Sequence, residues 1–192
     1  ALKKLAYRSA LHYGHNAIDS CCWLLLIDKA VLDTHRVRFT EGIIIMQDTW
    51  FYVDLLRNVN SLYSDDTITY NYMINANGTV SSGSKFAEKV DSIVKLYKYV
   101  TTVWDDAASK RQLKTQYYIL IAIRTINSST MSLKKVRELL KIISHYDRFF
   151  ESADMGDVSF RHKTYVYAVR HNSPMLVLAL ALIRRLAILV KG

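Results

Sequence analysis

Proline is nearly missing from this chain, with Pro174 the single example, and glycine is scarce at six in 192 residues. Both residues interrupt regular structure. A sequence poor in both favours long unbroken elements, helices above all. Cysteine is equally sparse: Cys21 and Cys22 are adjacent and there are no others. Neighbouring cysteines rarely bridge to each other, so there is no disulfide framework, and a reducing compartment is expected. Also lacking are a P-loop, a glycine-rich dinucleotide fingerprint, an H-E-x-x-H helix and a G-x-S-x-G elbow. The enzyme classes those motifs announce lose their support.

What remains is a globular composition, 51% hydrophobic and 22% charged. That excludes a disordered chain. A protein of this length can bury roughly 70% of its unfolded surface. The charge is one-sided, with a formal net of +9 and a pI near 9.5. It is also uneven. Residues 129–192 carry eleven Lys/Arg against five Asp/Glu, whereas the two preceding thirds are close to balance. Such an excess points to a polyanionic partner, either nucleic acid or an anionic membrane surface.

Hydrophobic periodicity and capping signals place the elements. Leu2 to Tyr13 reads as a helix stopped by Gly14, and Asn16 caps a second that runs to about Leu32. Thr40 followed by Glu41 starts a third, to about Tyr63. Residues 64–83 break the pattern. Alternation of Ile68, Tyr70, Tyr72 and Ile74 before Asn77-Gly78 fits a small β-hairpin or a mobile loop. Ser84 then caps a helix whose Phe86, Val90, Ile93, Tyr97, Val100 and Trp104 step by four and three, a clean apolar stripe, with Lys85, Lys89, Lys95 and Lys98 largely off it. Asp105 or Asp106 caps the next, to about Ile126. Ser132 caps another, with Val136, Leu139, Leu140, Ile143, Tyr146 and Phe150 inward. "ADMGD" ends it, Ser159 opens a shorter one, and Ser173-Pro174 is a strong start for the last. No internal repeat or Gly/Ser-rich linker divides the chain. The expectation is an all-α protein, a single-domain helical bundle of about seven or eight helices over residues 1–192.

The last helix is unusual. Nine apolar residues, 175–183, precede Arg184 and Arg185, and five more apolar residues follow. From Met175 to Val190 is roughly 24 Å of helix, short of a hydrocarbon core of about 30 Å. Each arginine at the centre of a membrane would cost about 2.5–3.5 kcal/mol. The segment is therefore not transmembrane. Its first half is apolar around the whole circumference, which predicts burial on all sides, in the bundle centre or in an oligomer interface formed by 174–190.

Candidate chemistry is thin. His12, His15, Asp19 and Cys22 are ligand types at i, i+3, i+7 and i+10, but Gly14 interrupts the helix they would share, and we expect no metal and no cofactor. Arg8 and His15 have six residues between them. This pair resembles the Arg-x(4–6)-His pattern of the HEPN ribonucleases, which are small helical proteins. The resemblance implies general acid–base work on a ribose hydroxyl by Arg8 and His15. Asp65-Asp66 and Asp105-Asp106 lie beside helix ends, where capping accounts for them.

Cations interleave with aromatics in three places: Lys95 to Tyr99, Lys110 to Tyr118, and Arg161 to His171. Single-stranded nucleic acid is held by this mixture, with cations on phosphates and ring faces on unpaired bases. In the second cluster Lys110, Lys114 and Tyr117 fall near one face. We take Lys110, Arg111, Lys114, Lys134, Lys135, Arg161 and Lys163 as the surface cations of such a site. The sequence thus predicts a non-catalytic, self-associating nucleic-acid-binding protein, a nucleoprotein or helical coat, with RNA or DNA as partner. Its place would be intracellular, in the cytoplasm, or in a virion. Two alternatives stand beside it: a helical interaction protein that binds a partner helix or a membrane surface, and the HEPN-like ribonuclease.

Overall fold

A computed structural model describes Cys22 and residues 25–63, 85–129, 132–146, 151, 153–156 and 158–189. Among these residues there are seven helices and no strand. The protein is an all-α helical bundle, as the scarcity of breakers requires. The possible hairpin at 64–83 and the expected helix over Leu2 to Tyr13 lie outside the described residues.

The amino-terminal helices depart from expectation. Helix α1 is short, Lys29–Thr34, and residues 25–28 before it are not helical. Asp28 is the reason: its carboxylate accepts the Ala30 N–H at 2.8 Å. An aspartate that bonds its own backbone caps a helix and does not continue one. The start at Thr40 also fails. Glu41 and Gly42 form a turn, with Gly42 at φ 74°, and α2 spans Gln47–Asn58 only. Between them Ile43 and Ile45 are buried and the Ile44 N–H donates to Ser92 Oγ at 3.2 Å. Three β-branched residues in a row lose side-chain freedom in a helix. Here they serve as a non-helical strap across the bundle.

From residue 85 onward the helices begin within a residue of where the capping signals put them, although Lys85 rather than Ser84 is the cap of the first and Ser159 makes no side-chain capping bond. Helix α3 spans Phe86–Val103, beginning one residue after Lys85, which sits at a left-handed φ of 55°. Helix α4 spans Ala107–Ser128, and Asp106 accepts the Ser109 N–H at 2.8 Å. Helix α5 is Leu133–Ser144 behind Ser132, α6 is Phe160–Arg170 behind Ser159, and α7 is Pro174–Leu189 behind Ser173. Helices α3 and α4 are antiparallel, as their three-residue connection dictates. The Tyr97 and Tyr117 rings meet edge-on at 6.1 Å, while Lys89, earlier in α3, faces Arg124, later in α4.

The bundle centre is α4. Its residues from Tyr117 to Ala122 are all buried, and α3, α5, α6 and α7 pack around it. Val136, Leu139, Leu140 and Ile143 of α5 are buried as their spacing demands. Each such aliphatic side chain contributes about 1.5–3 kcal/mol as an upper estimate. The carboxy-terminal helix therefore does not occupy the bundle centre, one of the two places its composition suggested. Within the described chain α7 buries one face only, through Val177 and Ala181.

Candidate nucleic-acid interface

Helix α6 is half-buried along its length, which fixes what its other face presents. Tyr165, Val166, Ala168 and Val169 point into the core. Phe160, Lys163, Tyr167, Arg170 and His171 follow at i, i+3, i+7, i+10 and i+11, one arc of the opposite side. Phe160 is 85% exposed and Tyr167 is 56% exposed. Tyr167 is steadied by the His171 ring, with centroids 4.2 Å apart. Two large aromatic rings thus stand in solvent between cations, about 10 Å apart along the axis.

The cations beside them are held in place. Arg161 lies over the Tyr165 ring at 5.5 Å and its Nε donates to the Tyr165 hydroxyl at 3.0 Å. Lys163 Nζ donates to the Gly156 carbonyl at 2.9 Å, which leaves two of its three donors for a ligand. Arg170 reaches the Glu151 carbonyl at 3.4 Å. His162 is half-buried against Ser159, with Oγ and Nδ1 3.1 Å apart. Burial first, and the Arg161 charge second, pull its pKa below the usual imidazole value.

One turn joins α6 to the start of α4. Thr115 Oγ1 donates to the Asp154 carbonyl at 2.8 Å. Asp154 Oδ1 accepts the Gly156 N–H at 2.9 Å, and Gly156 in turn accepts from Lys163. Half-buried Lys110 and Lys114 and exposed Arg111 of α4 are brought to the same end of the bundle as Arg161 and Lys163. Lys134 and Lys135 are not. They open α5 beyond the far end of α4, about 26 Å along the axis from Arg111. Lys135 pairs with Glu138 at 3.3 Å. Arg185 joins this second group by donating to the Ser129 carbonyl at 3.0 Å. The seven residues form a group of five and a group of two.

The aromatic residues of the other two interleaved clusters do structural work, as does Lys95. Lys95 pairs with Asp91 at 2.8 Å, and Tyr99 stacks on Trp50 at 4.5 Å. Tyr117 and Tyr118 are both buried, whereas Tyr117 was expected beside Lys110 and Lys114. Burial pushes the Tyr117 phenol far above its ordinary value. Lys89, expected off the apolar stripe, is 3% exposed, and its pKa is lowered by burial and then by Arg124. What sequence reasoning missed was Phe160: it is the residue seven before Tyr167, so helical spacing alone pointed to it.

Arg8, His12, His15 and Asp19 lie outside the described residues. Cys22 Sγ is 3.2 Å from Asp48 Oδ1 and donates to it. No group of three metal-ligand side chains occurs among the described residues, and no helix there is long and apolar enough to cross a membrane.

These features define an all-α protein with a basic, aromatic helix face. Compared with protein-family models, curated proteins and solved structures, the chain matches none.

Proposed function

We propose that this protein binds single-stranded nucleic acid without catalysis, along the outer face of α6 and the adjoining start of α4. The observation that carries the reading is the exposure of Phe160 and Tyr167 on one face with Lys163 and Arg170. Exposed rings offer stacking platforms for unpaired bases at roughly 1–3 kcal/mol each, without regard to sequence. Lys110, Arg111, Lys163 and Arg170 supply the phosphate contacts, and the 153–156 turn keeps the two helices in register.

Anisotropy of a labelled single-stranded oligonucleotide, read across KCl concentrations, tests this. With about four phosphates neutralised, the slope of log K on log salt is about −3, or a loss of about 50-fold between 50 and 200 mM. Phe160→Ala and Tyr167→Ala should each weaken binding by about 5- to 150-fold. Absence of binding, or binding indifferent to salt and to both rings, refutes the proposal.

A further inference from the structure

Helix α7 leaves an apolar stripe in solvent. Met175, Ala179, Leu182, Ile183 and Leu186 follow i, i+4, i+7, i+8 and i+11, an arc of about 100°. Met175 is 65% exposed, Ile183 62% and Leu186 52%. The stripe runs about 16 Å along the helix. No charge interrupts it, because Arg184 is turned toward the half-buried side and Arg185 toward Ser129.

The charge around the stripe is mainly positive; Glu138, which pairs with Lys135, is the one carboxylate in α5. From Phe160 to Gly192 the sequence has no Asp or Glu. Helices α5 and α6 both pack against α7 and expose Lys134, Arg137, Lys141 and Arg170. An occupant must therefore accept apolar side chains and bring negative charge.

A second copy of the chain fits poorly. Pairing through the stripe would bring each copy's Lys134, Arg137, Lys141 and Arg170 toward the same cations of the other. A single row of side chains also falls short of the roughly 800 Å² per partner that a stable interface buries.

We infer that α7 lies flat in the headgroup layer of an anionic lipid surface. Its stripe enters the acyl boundary, and the cations of α5 and α6 meet the lipid phosphates and carboxylates. An amphipathic helix in this position immerses one face by about 5–10 Å and needs no spanning length. Anionic lipid draws the basic residues within a Debye length of the surface. The inference does not need the nucleic-acid reading: its apolar stripe belongs to α7, and Arg170 is the residue the two surfaces share.

The test uses the full chain and flotation with vesicles. One set is phosphatidylcholine alone, and the other contains about a third phosphatidylserine. The protein should float with the anionic set and bind the neutral set at least about tenfold more weakly. The neutral double variant I183S/L186S should lose about tenfold or more of vesicle affinity. Circular dichroism should show its helices intact, and its oligonucleotide binding should be unchanged. No flotation with anionic vesicles overturns the inference, as does equal binding by the double variant. A concentration-dependent dimer in sedimentation equilibrium that I183S/L186S dissociates overturns it too, in favour of a second copy.

Discussion

Replacing Tyr99 by phenylalanine removes one oxygen and little else, so its effect can be worked from the structure. The ring stacks on Trp50 at 4.5 Å and 11°, which Tyr99→Phe preserves. The hydroxyl donates to Asp54 Oδ1 at 2.8 Å and accepts from Arg57 Nη1 at 3.2 Å. Hydrogen bonds to charged groups contribute about 1.5–3 kcal/mol when shielded, and partial exposure here reduces that to about 1–2 kcal/mol. The phenol is pushed up to about 12, chiefly by burial and then by Asp54. A tyrosine in the unfolded chain loses its proton near pH 10. Between those values the unfolded state has released a proton that the folded state still holds, so stability falls as pH rises. The contribution is intact below about pH 10 and is gone by about pH 12, a loss of about 2 kcal/mol after allowance for solvent. Urea unfolding at pH 8 should show Tyr99→Phe less stable by about 1–2 kcal/mol. Repeated toward pH 11, the gap between the two proteins should narrow, because only the wild type has this proton to lose. A gap that stays constant or widens with pH refutes the assignment, as does a variant no weaker than wild type at pH 8.

Two further outcomes follow from α4. Leu113 is fully buried, and Leu113→Ala should cost about 2–5 kcal/mol in urea unfolding; a loss under about 1 kcal/mol would mean α4 is not the bundle centre. Thr115→Val removes the donor to the Asp154 carbonyl and should cost about 1 kcal/mol in a thermal melt. If the 153–156 turn aligns α4 with α6, this variant should also weaken oligonucleotide binding at a temperature where it remains folded.

The carboxy-terminal half was readable because its signals are local. Asp106, Ser132, Ser159 and Ser173 stand where capping residues should, and Phe86, Val90, Ile93 and Val100 are buried as their spacing demands. The amino-terminal errors came from residues that suit two conformations. Asp28 could lie on a helix surface or cap one, and Ile43 to Ile45 could begin a helix or cross the bundle. Only their tertiary partners decide, and Ser92 is one of them. The same limit governs the site. Tyr117 and Tyr167 look alike in sequence, each beside cations at helical spacing. One is sealed inside because α4 has neighbours on every side, and the other stands in water because α6 does not. Composition likewise marked α7 for burial in the bundle centre or in an oligomer interface; α4 is the helix enclosed at the centre, which left the more apolar helix at the periphery.

The absence of carboxylates after Asp157 also governs how the carboxy-terminal helix pair responds to its surroundings. His162 resists protonation, because burial and the neighbouring Arg161 charge lower its pKa. A cell could quieten such a surface by raising ionic strength or by attaching a phosphate to a hydroxyl such as that of Ser159 or Thr164.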